Sequence, residues 1–171
     1  MYFNKRKQLL PFTYCIFLLL AFSACTRLPN VQGNGEVALQ GIWNQDSIAN
    51  AEQLLNYTQH KFKFSCDSFY VDLTTHSKVN YYEEACFNKG IWNEYAKGTY
   101  VVRGDTLFLT GTFTKANYKQ KVSGCYRNGR YLSNFKIKST RKDMLVLEGL
   151  NDQKECILTL KQNINCSPKA L

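Results

Sequence analysis

The sequence is poor in the residues from which catalytic and metal centres are usually built. It has only two histidines, His60 and His76, whose spacing does not suit a pair of metal ligands, and it has no Cys-x-x-Cys motif. No glycine-rich phosphate loop occurs, and Ser123-Gly124-Cys125 has no histidine nearby that could activate a nucleophile. These absences predict a protein without an enzymatic centre, a metal site or a cofactor.

Proline is also scarce, with three residues in 171, whereas tyrosine and phenylalanine number eleven each. Enrichment in aromatic residues favours β-strands, and polar and apolar residues alternate with a period of two from His60 onward. Residues 45–56 are predicted to form either a short helix or an irregular lid. Turn-prone residues separate the predicted strands, which cover residues 38–43, 61–65, 69–73, 92–103, 106–113, 131–138, 144–150 and 156–160.

Successive strands joined by tight turns indicate an all-β, antiparallel up-and-down meander of about eight strands. Such a meander hides its edges best by closing into a small barrel. The interior of a barrel of this size is either filled by side chains or holds one small ligand. The number of large side chains predicted to point inward favours a filled interior. The residues predicted to form the core, or the wall of a ligand cavity, are Trp43, Phe62, Phe64, Tyr100, Leu109 and Phe113.

A long apolar run occurs at the N-terminus, where residues 9–22 follow the basic cluster Lys5-Arg6-Lys7. This order is typical of a secretory signal, and the run is too short for a comfortable membrane span. The cluster supplies three of the charges that make the chain +9 overall. The remaining basic excess indicates a solvated surface near anionic lipid headgroups, and nucleic acid is not expected as a partner of an exported chain.

Ser23-Ala24-Cys25 at the end of this run resembles the lipobox of bacterial lipoproteins. The resemblance implies cleavage before Cys25 and a diacylglyceryl group on its thiol, which anchors the chain in a membrane. It also implies the outer membrane and a periplasm-facing domain. The residue after the cysteine is Thr26 rather than the aspartate that retains lipoproteins in the inner membrane, and Arg27 and Leu28 stand where a surface-export signal has acidic residues. The alternative is an uncleaved N-terminal signal helix that serves as the anchor, with an incidental cysteine.

The predicted organisation is a signal peptide over residues 1–24, a flexible tether over 25–37 and a barrel domain over 38–171. Five cysteines remain in the mature chain besides Cys25. An oxidising envelope compartment favours disulfides, and five cysteines form at most two. Because loosely held loops and tails gain most from a cross-link, we predict Cys86–Cys125 and Cys66–Cys166. Cys156 then remains a buried free thiol, and the rival pairing is Cys156–Cys166.

Two further resemblances concern the barrel. Gly41-Ile42-Trp43 opens the first strand of the meander and resembles the Gly-x-Trp start of the lipocalin superfamily, which implies a carrier of a small apolar ligand. The lipobox, residues 40–47, the hairpin at 64–70 and residues 97–109 resemble a group of small Bacteroidetes lipoproteins. That resemblance implies an envelope lipoprotein without an established activity. Besides the membrane, the expected partner is an apolar small molecule or an envelope protein.

Members of that lipoprotein group often carry the label fumarate hydratase. One class of fumarases is built from long helices, and a β-rich chain of this length does not form such a bundle. The other class binds an iron–sulfur cluster through three cysteine thiolates, which an oxidising compartment disfavours. The residues therefore disfavour this activity, and the interpretation that we prefer is a non-enzymatic binding or structural protein.

Overall fold

The computed structural model describes residues 31–170. The predicted signal peptide, the lipidation site Cys25 and the first half of the predicted tether lie outside these residues. The described strands are β1 (Gly41–Asn44), β2 (Asn56–Ser65), β3 (Ser68–Ser77), β4 (Ile91–Arg103), β5 (Thr106–Thr114), β6 (Arg130–Thr140), β7 (Met144–Gly149) and β8 (Glu155–Asn163).

The eight strands form one closed antiparallel barrel in which each strand pairs with its neighbour in sequence. The barrel closes because β1 also pairs with β8, with Trp43 opposite Leu160. This confirms the all-β, up-and-down, eight-stranded prediction. Among residues 31–170 the helical content is a four-residue helix, α1 (Glu84–Phe87), with single 3-10 turns at Val37–Leu39, Ala51–Gln53 and Asn88–Gly90. In this part of the chain no helix has the length and apolarity needed to cross a membrane.

The structure differs from the sequence prediction around the first hairpin. The first strand begins at Gly41 rather than at residue 38, because Val37–Leu39 forms a 3-10 turn. The second strand begins at Asn56, five residues before the predicted start. Between β1 and β2 the chain is irregular except for the single 3-10 turn. Of the two alternatives for residues 45–56, the structure therefore has the irregular connection.

The two ends of the barrel differ. One end, which we call the closed end, carries the short turns after β2, β4 and β6 together with the Val37–Leu39 turn. The open end carries the longer connections, at residues 45–55, 78–90, 115–129 and 150–154. The long connections therefore all meet at one end, where loops most often carry function.

Large side chains that alternate along the strands fill the closed half of the barrel. Phe62 stacks on Phe64 with ring centroids 5.5 Å apart, and Phe64 meets Tyr100 edge-on at 5.0 Å. Contacts of this kind add to the free energy gained by burying the rings. All six predicted inward residues belong to this contiguous core: Trp43, Phe62, Phe64, Tyr100, Leu109 and Phe113.

The buried side chain of Gln40 ties the closed end together. Its Oε1 accepts the backbone N–H of Cys66 at 2.7 Å, and its Nε2 donates to the Cys66 carbonyl and to the Tyr100 hydroxyl, each at 2.8 Å. These bonds satisfy polar groups that would otherwise be buried without partners. They hold the β2–β3 turn against the chain that enters β1.

Residues 31–36, the second half of the predicted tether, are irregular but hydrogen-bonded to the closed end. Gln32 donates its backbone N–H to Lys169 and its side-chain amide to Ser68, at 2.8 and 2.7 Å. The backbone N–H of Gly33 donates to Asp67 at 2.9 Å, and that of Glu36 to Tyr100 at 3.0 Å. The described chain thus makes contact with the barrel before residue 38, the predicted start of the domain.

Two disulfides are present, and both pairings match the prediction. Cys66 bonds Cys166 with a Cα–Cα distance of 4.8 Å, and Cys86 bonds Cys125 with a Cα–Cα distance of 5.5 Å. Cys156 is a buried free thiol, so the rival Cys156–Cys166 bond is excluded. The first bridge fixes the tail to the closed end, and the second joins two loops of the open end.

Candidate functional site

A cavity of about 590 Å³ occupies the open half of the barrel. It extends from the β1–β2 connection across the start of β2 to the middle of β6 and the β7–β8 turn. Polar and apolar side chains alternate around it. Its walls are formed by Gln45, Ile48, Ala49, Leu54, Asn56, Tyr57, Thr58, His60, Ser133, Asn134, Phe135, Gly149, Leu150, Asn151, Asp152, Lys154, Glu155 and Cys156.

The short first strand creates this cavity. β1 pairs with β2 only through residues 61–64, so residues 56–60 continue β2 beyond the reach of β1. The residues that face the interior are also small here, because Ser133 and Gly149 occupy inward positions of β6 and β7. A Cβ atom on Gly149 would lie 2.3 Å from Oδ1 of Asp152, so a larger residue here would displace the Asp152 side chain. Small residues and a missing strand neighbour together leave the space.

None of the six side chains predicted as core or cavity wall lines the cavity. Five of them pack in the closed half, whereas Phe113 lies near the open end under Arg127, with its ring centroid 4.8 Å from the guanidinium carbon. None of the cavity-lining residues was predicted as a site residue from the sequence. His60 carries a signal that could have identified it, since it shares the inward phase of Phe62 and Phe64 on β2. The other wall residues come from four strands and from the β1–β2 and β7–β8 connections, so no single periodicity joins them.

His60 is held in one orientation within the cavity wall. Its ring stacks on Phe62 with centroids 5.6 Å apart and meets Phe135 edge-on at 6.3 Å. Oε1 of Gln45 lies 3.2 Å from the backbone N–H of His60 and 3.1 Å from its Nδ1 atom. The backbone N–H of Gln45 in turn donates to the His60 carbonyl at 2.9 Å. Gln45 therefore continues the β1–β2 ladder for one further step and positions the ring.

The imidazole of His60 is neutral at physiological pH. Burial, which disfavours the charged form, lowers its pKa to about 4. The nearby Asp152 carboxylate opposes this effect without reversing it. The cavity therefore has an uncharged polar group in its wall, rather than a fixed positive charge.

The Cys156 thiol forms part of the same wall and is unreactive. Burial raises its pKa to about 12, so the thiol stays protonated at physiological pH. His60 and Cys156 belong to one cavity without forming a thiolate–imidazolium pair. The wall therefore lacks the activated sulfur that nucleophilic catalysis requires.

A second polar cluster lies at the open end around Glu94. This carboxylate is 4% exposed, and it accepts hydrogen bonds from the Nε and Nη2 atoms of Arg127 at 2.9 and 2.8 Å. The backbone N–H of Arg127 donates at 3.1 Å and the indole N–H of Trp92 at 3.4 Å. Burial acts to lower the pKa of Arg127, but the Glu94 carboxylate raises it above its usual value. Four hydrogen-bond donors thus replace the water that the carboxylate loses on burial.

Aromatic rings and a disulfide surround the buried Glu94 side of this ion pair, whereas the Arg127 side chain is half exposed. Trp92 stacks on Tyr126 with centroids 5.4 Å apart, and Tyr82 meets both rings edge-on. Tyr126 donates its hydroxyl to the carbonyl of Cys86 at 2.6 Å, beside the Cys86–Cys125 bond. The connections at 78–90 and 115–129 are therefore cross-linked over this side of the open end. Sequence analysis missed Glu94 and Arg127, although Glu94 has the inward phase of Trp92 and Ala96.

Over the described range of the chain, no group of three or more His, Cys, Asp or Glu side chains could hold a metal ion. The cavity instead combines hydrogen-bonding groups with apolar surface and encloses them on several sides. Such an arrangement binds a small amphipathic molecule by shape and hydrogen bonds.

Comparison with protein-family models, with curated proteins and with solved structures found no match in any of the three. What the cavity holds is therefore inferred from its own residues.

The Glu94–Arg127 pair leads to a stability prediction. Arg127→Met removes the charged partner and leaves a buried carboxylate, which should lower the free energy of unfolding by about 2–4 kcal/mol. Thermal and urea denaturation would measure this loss. Arg130→Met, at an exposed β6 position, is the matched control and should change stability by less than about 0.5 kcal/mol. Adding Glu94→Leu to Arg127→Met should recover most of the loss. Equal stability of the two arginine variants would contradict the assignment.

His60 leads to a pH prediction. Its folded pKa of about 4 lies below the ordinary value of 6.5, so the unfolded chain takes up a proton first as the pH falls. The contribution of neutral His60 to the free energy of unfolding is fully present above pH 6.5. It is lost as the pH falls towards 4, by at most ~3 kcal/mol. His60→Phe keeps a ring on Phe62 but does not titrate. Chemical denaturation at several pH values should show the wild type losing more stability than this variant between pH 6.5 and 4. Parallel losses would refute the prediction.

Proposed function

We propose that this protein is a lipid-anchored component of the bacterial cell envelope whose barrel binds a small amphipathic molecule without transforming it. The observation that carries the binding role is the cavity of about 590 Å³ in the open half of the barrel. Pockets that enclose small molecules usually measure about 300–1,000 Å³. The cavity therefore has room for a ligand, even though most of the predicted core side chains fill the other half.

The composition of the wall supports an amphipathic ligand rather than a purely apolar one. Ile48, Leu54, Phe135 and Leu150 offer apolar contact, whereas Gln45 and other polar side chains offer hydrogen bonds. At the rim, Asp152, Lys154 and Glu155 carry charges of both signs, so no strong field of one sign attracts an ion. The ligand that fits this surface has an apolar body and an uncharged polar group.

The chemistry of the wall supports binding without catalysis. His60 is uncharged and bonded to Gln45, and the Cys156 thiol is protonated. Glu94, the buried carboxylate, is engaged by the Arg127 guanidinium and is not a cavity-lining residue. A fumarate hydratase activity has no support in these contacts.

A structural or protein-interaction role is the second candidate. It is favoured by the filled closed half, where large aromatic residues pack without the open space that a carrier needs. Under this proposal the barrel is a rigid module that contacts another envelope protein. Ligand binding at the open end distinguishes the two roles.

The membrane anchor is proposed from the lipobox resemblance at Ser23-Ala24-Cys25. The contacts of residues 31–36 bring the described chain out of the barrel at the closed end, opposite the cavity. An acylated protein of this kind would be held at the outer membrane, with the barrel facing the periplasm.

The anchor is tested by metabolic labelling with a radioactive fatty acid in a bacterial host that acylates lipoproteins. We expect label on the wild-type chain and none on Cys25→Ala, because the thiol is the acceptor of the lipid. Cys156→Ala is the control and should keep its label, since that thiol is buried. Equal labelling of wild type and Cys25→Ala would refute lipidation.

Ligand binding is tested with N-phenyl-1-naphthylamine, a neutral fluorescent molecule that is bright in apolar surroundings. Ser133→Phe places a ring in the cavity and should weaken saturable binding at least tenfold. Leu132→Phe is the matched control, because the neighbouring residue is 55% exposed on the outside of the barrel. It should bind as the wild type does. Fluorescence titration of the three detergent-solubilised proteins would decide, and unsaturable or equal signals would favour the structural role.

A further inference from the structure

The hydrogen bonds around His60 specify which chemical group the cavity can receive. This step rests on the proposed ligand-binding function and defines the class of ligand. The amide oxygen of Gln45 faces two nitrogen atoms of His60, the backbone N–H at 3.2 Å and Nδ1 at 3.1 Å. A backbone N–H only donates, so the Gln45 atom that it meets is the oxygen and not the amide nitrogen. The same oxygen must then accept a proton from Nδ1.

Protonation of Nδ1 determines the state of the other ring nitrogen. A neutral imidazole carries one proton, so Nε2 has a lone pair and accepts hydrogen bonds. Among residues 31–170 no hydrogen bond to His60 Nε2 is present, whereas Nδ1 is engaged. The stacking of the ring on Phe62 and its edge contact with Phe135 keep it from turning. The ring thus offers an acceptor atom that has no partner in a wall of the cavity.

We propose that His60 Nε2 is the acceptor for the polar group of the ligand, so that the cavity selects uncharged molecules that carry a hydroxyl or an amide N–H. An ether or ester of the same shape presents only lone pairs to this atom and leaves it unsatisfied. A carboxylate presents negative charge to this lone pair, and the positive charge of Lys154 at the rim is offset by Asp152 and Glu155. Discrimination therefore depends on one donor hydrogen rather than on size.

The site is built from two segments of chain that the first hairpin brings together. Gln45 follows β1 directly, and His60 lies at the point where β2 extends past it. The two residues exchange three hydrogen bonds, including the one from the Gln45 backbone to the His60 carbonyl. Gln45 is therefore a positioning residue, which acts by fixing the proton on Nδ1.

Two probes of nearly equal shape test the proposal, 1-naphthol with a donor hydroxyl and 1-methoxynaphthalene without one. Each is titrated into the detergent-solubilised protein against bound N-phenyl-1-naphthylamine. We expect the wild type to bind 1-naphthol about tenfold more tightly than the ether, the effect of one buried hydrogen bond. His60→Phe should bind both probes with equal affinity, because it keeps an aromatic ring but has no acceptor. Leu132→Phe should retain the wild-type preference.

Nitrogen-15 NMR of the His60 imidazole in the wild-type protein gives a second measurement that needs no variant. At neutral pH one ring nitrogen should show the shift of a protonated atom and the other that of an unprotonated atom. Addition of 1-naphthol should move the unprotonated resonance, whereas the ether should leave it unchanged.

The outcomes separate the two levels of the proposal. If neither probe binds the wild type, both the proposed ligand binding and the role of His60 are overturned. If both bind with equal affinity and Ser133→Phe weakens them, the cavity binds ligands but the selection by His60 is overturned. A donor preference that persists in His60→Phe also overturns it, as does a ring protonated on both nitrogens at neutral pH.

Discussion

Closure of the barrel depends on a strand of only four residues. β1 must pair with β2 on one side and with β8 on the other, and without it both neighbours would present unpaired edges. The backbone comes so close to β8 here that a Cβ atom at Gly41 would lie 2.6 Å from Cδ1 of Leu160. Trp43, two residues on, donates its indole N–H to the Leu39 carbonyl at 2.7 Å. The Gly-x-Trp pattern therefore has a local physical reason in this chain, namely close strand approach followed by a buried anchor.

The same short strand separates the filled half of the barrel from the cavity. Where β1 runs beside β2, rings such as Phe62 and Phe64 pack across the interior. Beyond Asn44 the side chain of Gln45 replaces one step of the ladder at His60, and further along β2 the chain diverges. His60 thus lies at the boundary between core and cavity. Its ring packs on the core, and its remaining nitrogen is left for whatever occupies the cavity.

The sequence was sufficient to predict the fold because its information is local. Alternation in the later strands and turn residues such as Gly104 predict hairpins, and neighbouring hairpins predict a meander that closes. The disulfide pairs followed from the same logic, since loops and tails were matched with one another.

The cavity could not be predicted in this way. Its wall combines two irregular connections with parts of four strands, and its volume depends on where β1 ends, which alternation within Gly41–Asn44 does not reveal. Glu94 had the inward phase of its strand, but its partner Arg127 lies in a segment without periodicity.

The two sides of the open end are restrained to different degrees. On one side the Cys86–Cys125 bond and the Glu94–Arg127 pair cross-link the connections at 78–90 and 115–129. A buried ion pair adds little net stability over apolar packing, but its forked geometry allows one arrangement of the partners. On the other side the connection at 45–55 has no disulfide, and it is held by backbone bonds such as that from Lys78 to Leu55 and by the exposed Lys161–Asp46 pair. Exposed ion pairs contribute little to stability. Opening therefore costs less at 45–55 than at 78–90 and 115–129. The 45–55 connection begins with Gln45, so this more weakly held part of the rim lies beside the acceptor that we assign to the ligand.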